Sequence, residues 1–295
     1  MVLAAGFGTR LSPLTDELPK PLVPVGDAPL LVRILRVLLE ENPSSVAVNV
    51  HYHAAKIINE LAGSLIFVHV VEEHEIRGTA GGLAGARGVL GPHPVVVVHG
   101  DIVGELPVAL LLEAPHPDTP RAGLVLAVTA APLGRGTVGI GARGEVVRLR
   151  GETFGTEVTS GDYMGVALLE ADVVAALPDR GCLIGDVALP TLRRGDSVEA
   201  RLVDVTFEDI GSPLAYWSAN LAWLDARNAE SGLDPRASFL DEGALVGPAV
   251  RTQRSILGRG ARVEGEGSLE NCVIWPGAVA HAPLANAIVT TAGRV

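Results

Sequence analysis

The residues with the clearest chemical potential lie near the start of the chain. Gly6 and Gly8 flank Phe7 in a loop that follows a short apolar run, and Thr9 and Arg10 come next. Because glycine has no side chain, successive backbone N–H groups of such a loop can approach an anion closely and form a nest. Arg10 adds a planar fork that matches phosphate geometry. The loop therefore predicts a phosphate site, although for Gly-x-Gly alone a tight turn without a ligand is the simpler interpretation.

Lysine usage singles out a second cation. The chain has 23 Lys and Arg residues, of which only Lys20 and Lys56 are lysines. Pro19 and Pro21 flank Lys20 and restrict the local backbone, so that its ammonium is delivered as a point charge to a defined place. An ordinary surface lysine does not need such rigid flanks. We therefore predict that Lys20 binds phosphate together with Arg10, and that Lys56 is a solvent-facing helix residue.

The glycine loop departs from two well-known phosphate-binding motifs. In the dinucleotide fingerprint G-x-G-x-x-G, the third glycine would fall at Leu11. A P-loop would continue with Gly-Lys-Ser/Thr, which is absent after Gly8. The loop therefore predicts neither dinucleotide binding nor a P-loop NTPase.

The glycine loop must be positioned by the strands and helices that alternate along the first two thirds of the chain. Short apolar runs indicate strands at residues 46–50, 65–71, 95–98 and 124–128, and helical periodicity indicates helices at residues 30–39, 53–62, 79–89 and 213–228. Ser212 and Pro213 are suited to the start of the last helix. This alternation predicts βαβ units and a Rossmann-like, mainly parallel sheet in an α/β fold, with ligands at the carboxyl ends of its strands.

The pattern changes in the last quarter of the chain. Gly260-Ala261 and Gly277-Ala278 lie 17 residues apart in a region of short Val-, Ile- and Leu-containing units. This spacing is close to one three-hexapeptide turn of a parallel β-helix, and a few irregular hairpins are the alternative. We predict a catalytic domain at 1–228, a linker at 229–242 and a β-helix at 243–295. The apolar end of such a stack must pack against the catalytic domain or against another subunit, and we predict a homo-oligomer.

The opening motif resembles that of the sugar-1-phosphate nucleotidyltransferases, also called NDP-sugar pyrophosphorylases. Residues 3–15 (LAAGFGTRLSPLT) and 19–22 (PKPL) match the signature of that family almost completely. The resemblance is strongest to members of the mannose-1-phosphate guanylyltransferase type, which implies that the C-terminal β-helix is left-handed. It also implies catalytic roles for Arg10 and Lys20 on the phosphates of a nucleoside triphosphate.

Further site residues are implied by this resemblance. Residues 75–83 look like the loop that faces the base. The same residues are also suited to a helix N-terminus capped by Thr79, and both interpretations can hold together. Gly165 and Asp162 lie in a segment that resembles the sugar side. Many relatives have Glu-Lys-Pro before it, with the lysine on the sugar phosphate, but this chain has RLRGE at 148–152. The implied nucleotide-binding residues are Leu3, Ala5, Gly6, Gly8, Thr9, Arg10, Glu75, Gly78, Thr79, Gly81 and Gly82.

Two aspartates are the candidate ligands for Mg²⁺. Asp101 follows the apolar run 95–98, at the end of a predicted strand, and occupies the kind of position where the family has its first metal-binding aspartate. Asp209 lies in a segment that resembles the family's Trp-x-Asp-x-Gly-Thr, with Phe207 in place of the tryptophan. Mg²⁺ commonly takes one or two carboxylates together with phosphate oxygens, so two aspartates suffice chemically.

The resemblance implies transfer of a nucleoside monophosphate to a sugar 1-phosphate with release of pyrophosphate. GTP and mannose 1-phosphate are the first choice, and UTP or dTTP with glucose, heptose or N-acetylmuramic acid phosphates are alternatives. A non-catalytic sugar-nucleotide-binding regulatory relative would be expected to lack Lys20 or an aspartate, and a glycosyltransferase usually presents Asp-x-Asp where this chain has Asp101-Ile102-Val103.

The composition of the chain excludes or disfavours several other classes of protein. The chain of 295 residues is 48% hydrophobic, which excludes a disordered protein, and its net charge of −11 disfavours a polynucleotide partner. Cys182 and Cys272 are too few and too far apart for a disulfide framework, so we expect two buried free thiols. No run reaches the length of a membrane span, and the first residues lack the pattern of a signal peptide. We therefore expect a cytoplasmic enzyme.

Overall fold

The computed structural model describes residues 1–64, 67–113 and 122–295. These residues form two compact units. Unit 1 comprises Met1–Gly6 and Val32–Phe207, and unit 2 comprises Phe7–Leu31 and Glu208–Val295. The chain therefore passes between the units after Gly6, Leu31 and Phe207. The predicted boundaries at residues 228 and 242 stay predictions.

Helices and strands alternate through the first two thirds of the chain, and strands predominate after residue 238. The helices are α1 (Leu14–Glu17), α2 (Leu30–Glu40), α3 (Ala54–Gly63), α4 (Gly78–Gly85), α5 (Arg87–Leu90), α6 (Val108–Leu112), α7 (Ala171–Ala175), α8 (Leu189–Arg193) and α9 (Pro213–Glu230). The strands are β1 (Val2–Leu3), β2 (Pro24–Val25), β3 (Ala28–Pro29), β4 (Ala47–Val50), β5 (His69–Glu72), β6 (Val95–His99), β7 (Ile102–Gly104), β8 (Leu124–Ala131), β9 (Val138–Ile140), β10 (Val146–Leu149), β11 (Glu152–Thr153), β12 (Thr159–Leu169), β13 (Glu199–Val203), β14 (Phe207–Asp209), β15 (Phe239–Leu240), β16 (Leu245–Val246), β17 (Val250–Gln253), β18 (Ile256–Leu257), β19 (Arg262–Glu270), β20 (Val273–Ile274), β21 (Val279–Ala285), β22 (Ile288–Thr290) and β23 (Gly293–Arg294).

Most predicted elements form, with two differences. The predicted strand at 65–71 begins only at His69 as β5, and residues 65 and 66 lie outside the described residues. The predicted helix at 79–89 is divided into α4 and α5, which meet at Ala86. Gly81, Gly82 and Gly85 weaken the helix before this break because glycine has low helix propensity.

Unit 1 is built around a mixed sheet with the order β11-β10-β9-β12-β6-β1-β4-β5, in which β8 joins β12 to β13. β1 lies parallel to β4 and β6, with Val2 opposite Val48 and Val98. This half of the sheet is parallel, as predicted. β12, however, is antiparallel to β6, β8 and β9. The prediction of a mainly parallel sheet is therefore wrong for most of the other half, in which only β8 and β13 pair parallel. The short connections between β9, β10 and β11 permit only antiparallel pairing of those strands.

Unit 2 ends in stacked parallel strands with the predicted spacing. Phe239 pairs in register with Ile256, and Ile256 with Val273. A second set of strands repeats the same spacing, with Leu245 opposite Arg262 and Arg262 opposite Val279. Parallel pairing of residues 17 positions apart is consistent with the predicted β-helix and contradicts irregular hairpins.

Helix α9 joins the two sequence segments of unit 2. The Ser212 hydroxyl accepts a hydrogen bond from Ala215 N at 3.2 Å, which confirms the predicted cap. Further along, the buried Tyr216 hydroxyl donates to Pro24 O at 2.6 Å and accepts from Trp275 Nε1 at 2.9 Å. Burial raises the pKa of Tyr216. The hydroxyl therefore remains a donor at neutral pH and links the segment 7–31 to the C-terminal strands.

Within the described ranges, no helix combines the length and the apolar character that crossing a membrane requires.

The two cysteines differ in their exposure to solvent. Both cysteines are free, but only Cys272 is buried. Cys182 is partly exposed, so the prediction of two buried thiols is wrong for it.

Candidate active site

The part of the glycine loop that belongs to unit 2, from Phe7 onward, forms a tight turn beside Lys20. Gly8 has a left-handed backbone with φ +66° and precedes a 3-10 turn at Thr9–Leu11. A Cβ atom at Gly8 would lie 2.9 Å from Thr15 Cγ2 and 3.0 Å from Lys20 Cβ. Glycine is therefore required here both by the backbone conformation and by the close approach of Lys20.

Lys20 and Arg10 converge on one carboxylate of unit 2. Lys20 Nζ lies 3.0 Å from Asp209 Oδ1, and Arg10 Nη2 lies 3.5 Å from Asp209 Oδ2. The Lys20 side chain is 9% exposed, whereas those of Arg10 and Asp209 are 73% and 46% exposed. Three predicted site residues that are distant in sequence are thus brought together, with Lys20 fixed in a 3-10 turn and Arg10 in solvent.

Asp101 lies beside the end of β1 in unit 1. The parallel register places Leu3 opposite His99, and Gly100 N donates to Leu3 O at 2.9 Å. The carboxyl ends of β1 and β6 therefore meet at one edge of the sheet, where Ala5 is buried and Gly6 is exposed. This edge is where α/β sheets bind their ligands.

A buried polar network beside β1 was missed by the sequence analysis. Asn49 Oδ1 accepts from Ala4 N at 2.8 Å, and Asn49 Nδ2 donates to Glu73 Oε1 at 2.6 Å. Glu73 Oε2 accepts from Arg77 N at 3.1 Å. Asn49 and Glu73 are each 3% exposed. A signal was present, because a polar Asn49 within the apolar run 46–50 requires a buried partner.

This network positions the predicted nucleotide-binding segments of unit 1 relative to each other. A Cβ atom at Gly82 would lie 2.5 Å from Asn49 Nδ2 and 2.9 Å from Glu73 Oε1. The network thus ties the end of β1 to the segment 73–77, and α4 packs closely against the network at Gly82. Gly82 permits this close approach, as glycine does where a backbone or polar group comes near.

We expect Asn49→Leu to destabilise the protein by about 1–3 kcal/mol, because Ala4 N and the Glu73 carboxylate lose a buried hydrogen-bond partner. Urea unfolding measures the free-energy difference. Asn59→Leu removes an exposed asparagine of α3 in unit 1 and serves as the matched control. An unfolding midpoint equal to that of the unsubstituted protein would show that the network contributes nothing.

The predicted base-side loop forms the start of α4. Gly78 begins the helix with φ +78°, and Arg77, not Thr79, is the N-cap residue. The Thr79 hydroxyl instead accepts a hydrogen bond from Leu183 N at 2.7 Å. The alternative interpretation of Thr79 as a helix cap is therefore wrong, because a distant backbone donor takes its hydroxyl.

Glu75 and Gly81 of the same loop are held by a neighbouring segment of unit 1. Glu75 forms an ion pair with Arg180, whose hydrogen bond lowers the pKa of the Glu75 carboxyl. A Cβ atom at Gly81 would lie 2.6 Å from Asp179 O. The loop 75–82 is thus fixed against residues 179–181.

The predicted sugar-side residues lie on β12. Gly165 has φ +79°, and a Cβ atom there would lie 3.0 Å from His99 Cγ. Asp162 Oδ1 accepts a hydrogen bond from Thr137 N at 3.0 Å. Between them, the Tyr163 ring meets the His99 ring edge-on at a centroid distance of 6.0 Å. The Tyr163 hydroxyl is buried and has no hydrogen-bond partner among the described residues.

The donor set for a divalent cation consists of isolated carboxylates. Among the described residues, no group of three or more His, Cys, Asp or Glu side chains could hold a metal ion. Asp101 and Asp209 are both accessible to solvent. Accessible carboxylates fit Mg²⁺, which keeps waters and takes further oxygens from substrate phosphates.

Comparison with known proteins identifies the family. The model of the family described as nucleotidyl transferase matches residues 1–226. The chain belongs to this family. The matched range holds the glycine loop, Lys20, Asp101 and Asp209, so the predicted family and enzyme class are confirmed.

Relatives of this nucleotidyl transferase carry several names. A probable mannose-1-phosphate guanylyltransferase of Oryza sativa subsp. japonica is 27% identical, with 93% of this chain and 85% of the relative covered. The N-acetylmuramate alpha-1-phosphate uridylyltransferase of Caulobacter vibrioides is 31% identical, with 78% and 97% covered. HddC from Yersinia pseudotuberculosis, crystallised with GMP-PN, has a TM-score of 0.62 at 22% identity, with 75% and 97% covered. The last likeness concerns the fold.

Proposed function

We propose that this nucleotidyl transferase moves a nucleoside monophosphate from a nucleoside triphosphate to a sugar 1-phosphate and releases pyrophosphate, with Mg²⁺ as cofactor. The observation that supports this proposal most directly is the convergence of Arg10, which follows the glycine loop, and Lys20 on one carboxylate. A nearly buried ammonium and an exposed guanidinium lie around the same carboxylate, Asp209, in a protein of this family. Such a pair provides one nearly buried and one exposed cation for phosphate oxygens.

The reaction needs positioning and charge neutralisation more than proton transfer. The attacking phosphate oxygen of the sugar 1-phosphate is already an anion, so no general base is required. It attacks the α-phosphorus in line, the new P–O bond forms, and the bond to the pyrophosphate oxygen breaks. Lys20 and Arg10 stabilise the negative charge that develops on the phosphate oxygens and on the leaving pyrophosphate.

Asp101 and Asp209 are the residues that would hold Mg²⁺. When bound, the cation neutralises phosphate charge and acts as a Lewis acid. Asp209 also holds Lys20 and Arg10, which compete with a cation for its carboxylate oxygens. Exchange of these partners would release both side chains toward the triphosphate.

GTP and mannose 1-phosphate are the substrates we favour. The segment Gly78-Thr79-Ala80-Gly81 and the name of the rice relative support this choice. UTP and N-acetylmuramic acid 1-phosphate are the second candidate pair, because the uridylyltransferase of Caulobacter vibrioides is 31% identical over nearly its whole length. Glucose and heptose phosphates with dTTP or UTP are the remaining pairs.

A substrate matrix separates these candidates. Four nucleoside triphosphates are combined with mannose, glucose, heptose and N-acetylmuramic acid 1-phosphates, and pyrophosphate release is measured with Mg²⁺. We expect one pair to exceed the others, with GTP and mannose 1-phosphate first. Absence of turnover with every pair, together with tight binding of a sugar nucleotide, would replace the proposed transfer by a regulatory binding role.

Three features extend the proposal. We propose that the parallel strands after residue 238 form a left-handed β-helix, that copies of the chain associate through it, and that the enzyme acts in the cytoplasm. The repeated pairing of residues 17 positions apart supports the β-helix. Light scattering that finds only monomer at micromolar concentration would contradict the association.

A further inference from the structure

The segment that carries Lys20 is held on both sides by residues of unit 2 that are distant in the sequence. After Lys20, the carbonyl oxygen of Pro24 accepts a hydrogen bond from the Tyr216 hydroxyl. Before Lys20, the carboxylate of Glu17, the last residue of α1, accepts a hydrogen bond from the Thr291 hydroxyl. The second of these contacts involves a charged group that the proposed mechanism does not use.

One hairpin supplies the donors that surround the Glu17 carboxylate. β22 and β23 pair antiparallel, and residues 291 and 292 form the turn between them. Burial alone would raise the pKa of Glu17, but hydrogen bonds from two threonine side chains and two backbone groups of residues 290–292 lower it below its usual value. Glu17 is therefore ionised at neutral pH, and its charge is bound by the hairpin turn.

Helix α1 connects Glu17 to the glycine loop. Thr15, which is 2% exposed, donates a hydrogen bond from its hydroxyl to Gly8 O at 3.2 Å. Leu11 N donates to the same carbonyl oxygen at 2.9 Å and closes the 3-10 turn that contains Arg10. Because one carbonyl oxygen accepts from both the helix and the turn, a shift of α1 would also move the turn that carries Arg10.

The chain between Glu17 and Lys20 has little conformational freedom. Leu18 N donates to Leu14 O at 3.2 Å and so remains tied to α1. Pro19 is buried, and its ring restricts φ. The 3-10 turn that begins at Lys20 follows directly. The position of the Lys20 side chain therefore depends on the position of α1.

We propose that Glu17 is a positioning residue, and that its contact with the β22–β23 hairpin keeps Arg10 and Lys20 in the arrangement that binds a triphosphate. The inference rests on the proposed function for the identity of this ligand. Arg10 and Lys20 reach Asp209 at 3.5 and 3.0 Å, and a displacement of about 1 Å in a site can lower a rate about 100-fold. Glu17 acts through α1 and makes no contact with the triphosphate in this proposal.

Steady-state kinetics of Glu17→Gln and Thr291→Val test this role. Each substitution nearly preserves shape, and Thr291 is exposed, so we expect both variants to fold, which the thermal midpoint checks. We expect kcat/KM for the nucleoside triphosphate to fall about 3- to 10-fold in each variant, while the KM for the sugar 1-phosphate changes less than about 2-fold. Thr291→Ser keeps the hydroxyl and is expected to retain the unsubstituted values.

A double variant and a matched control complete the kinetic test. The loss in the double variant should not exceed that of the larger single loss, because both substitutions break the same contact. Glu230→Gln is the control, since Glu230 is an exposed glutamate that also ends a helix of unit 2, α9. Equal kcat/KM values in Glu17→Gln and Glu230→Gln would overturn the proposal.

Lysine acetylation separates this inference from the proposed function, because it requires no turnover. Sulfo-N-hydroxysuccinimide acetate modifies accessible amines, and mass spectrometry gives the rates at Lys20, which is 9% exposed, and at Lys56, the other lysine. We expect Glu17→Gln and Thr291→Val to raise the Lys20 rate about 5-fold relative to the Lys56 rate, through local opening of the segment. An unchanged ratio overturns the positioning role even if turnover falls. A raised ratio in a protein that turns over no substrate pair supports the role and contradicts nucleotidyl transfer.

Discussion

Replacing Lys20 by methionine is expected to lower turnover about 10²- to 10³-fold, the usual effect of removing one preorganised group that stabilises transition-state charge. Methionine preserves the length and the apolar part of the side chain, which is 9% exposed, so the turn at Lys20–Leu22 should persist. In the proposed function, the ammonium lost in this variant is the group that neutralises charge on the triphosphate. Pyrophosphate release under saturating substrates measures the effect.

The chain contains its own control for this substitution. Lys56, the other lysine, lies exposed on α3. Lys56→Met changes the net charge of the protein by the same one unit as Lys20→Met. We expect Lys56→Met to retain the turnover of the unsubstituted enzyme. Circular dichroism and the thermal midpoint establish that both variants fold. Near-normal turnover of Lys20→Met would remove Lys20 from the catalytic residues.

The second large effect concerns the carboxylates proposed for Mg²⁺. Asp101→Asn preserves shape but removes the charge that attracts a hard cation, and several kcal/mol of transition-state stabilisation depend on such a cation. We expect turnover to fall by about 10²- to 10³-fold at 1–2 mM Mg²⁺, roughly the loss that this energy implies, and to recover partly at higher Mg²⁺. Chelation by EDTA should abolish turnover of the unsubstituted enzyme.

Asp209→Asn should behave differently from Asp101→Asn. In addition to the proposed metal ligand, it removes the partner that Lys20 and Arg10 share. We therefore expect a raised KM for the nucleoside triphosphate as well as a weaker response to Mg²⁺. Asp196→Asn is the control, since that exposed aspartate pairs with Arg194. Unchanged Mg²⁺ dependence in both variants would contradict the two-aspartate proposal.

Local patterns were enough to predict the elements and the cation-bearing loop. The Ser212 cap depends on residues three positions apart, and the 17-residue register of the C-terminal strands repeats in the sequence itself. The motif at residues 3–22 likewise carries Gly8, Arg10 and Lys20 in one short segment. Such features can be predicted from the sequence because each is determined by a local or repeated sequence pattern.

Contacts between residues that are far apart in the sequence could not be predicted from local patterns. Asn49 finds Glu73 only because β4 and β5 are adjacent in the sheet. Thr79 does not cap the helix, because its hydroxyl accepts a hydrogen bond from the backbone N–H of Leu183, more than a hundred positions away in the sequence. The engagement of Arg148 by Glu157 likewise depends on the pairing of β9 with both β10 and β12. Tertiary contacts of this kind override local propensity.

The pairing of Pro24 with Tyr216 has a consequence for the order in which the newly made protein folds. Residues 7–31 leave the ribosome early, but the hydroxyl that Pro24 O binds and the Trp275 that completes the link are synthesised much later. At about 5–20 residues per second, the glycine loop waits on the order of ten seconds or more for the rest of its unit. The packing that holds the segment 7–31 within unit 2 is therefore completed only after Trp275 has been made.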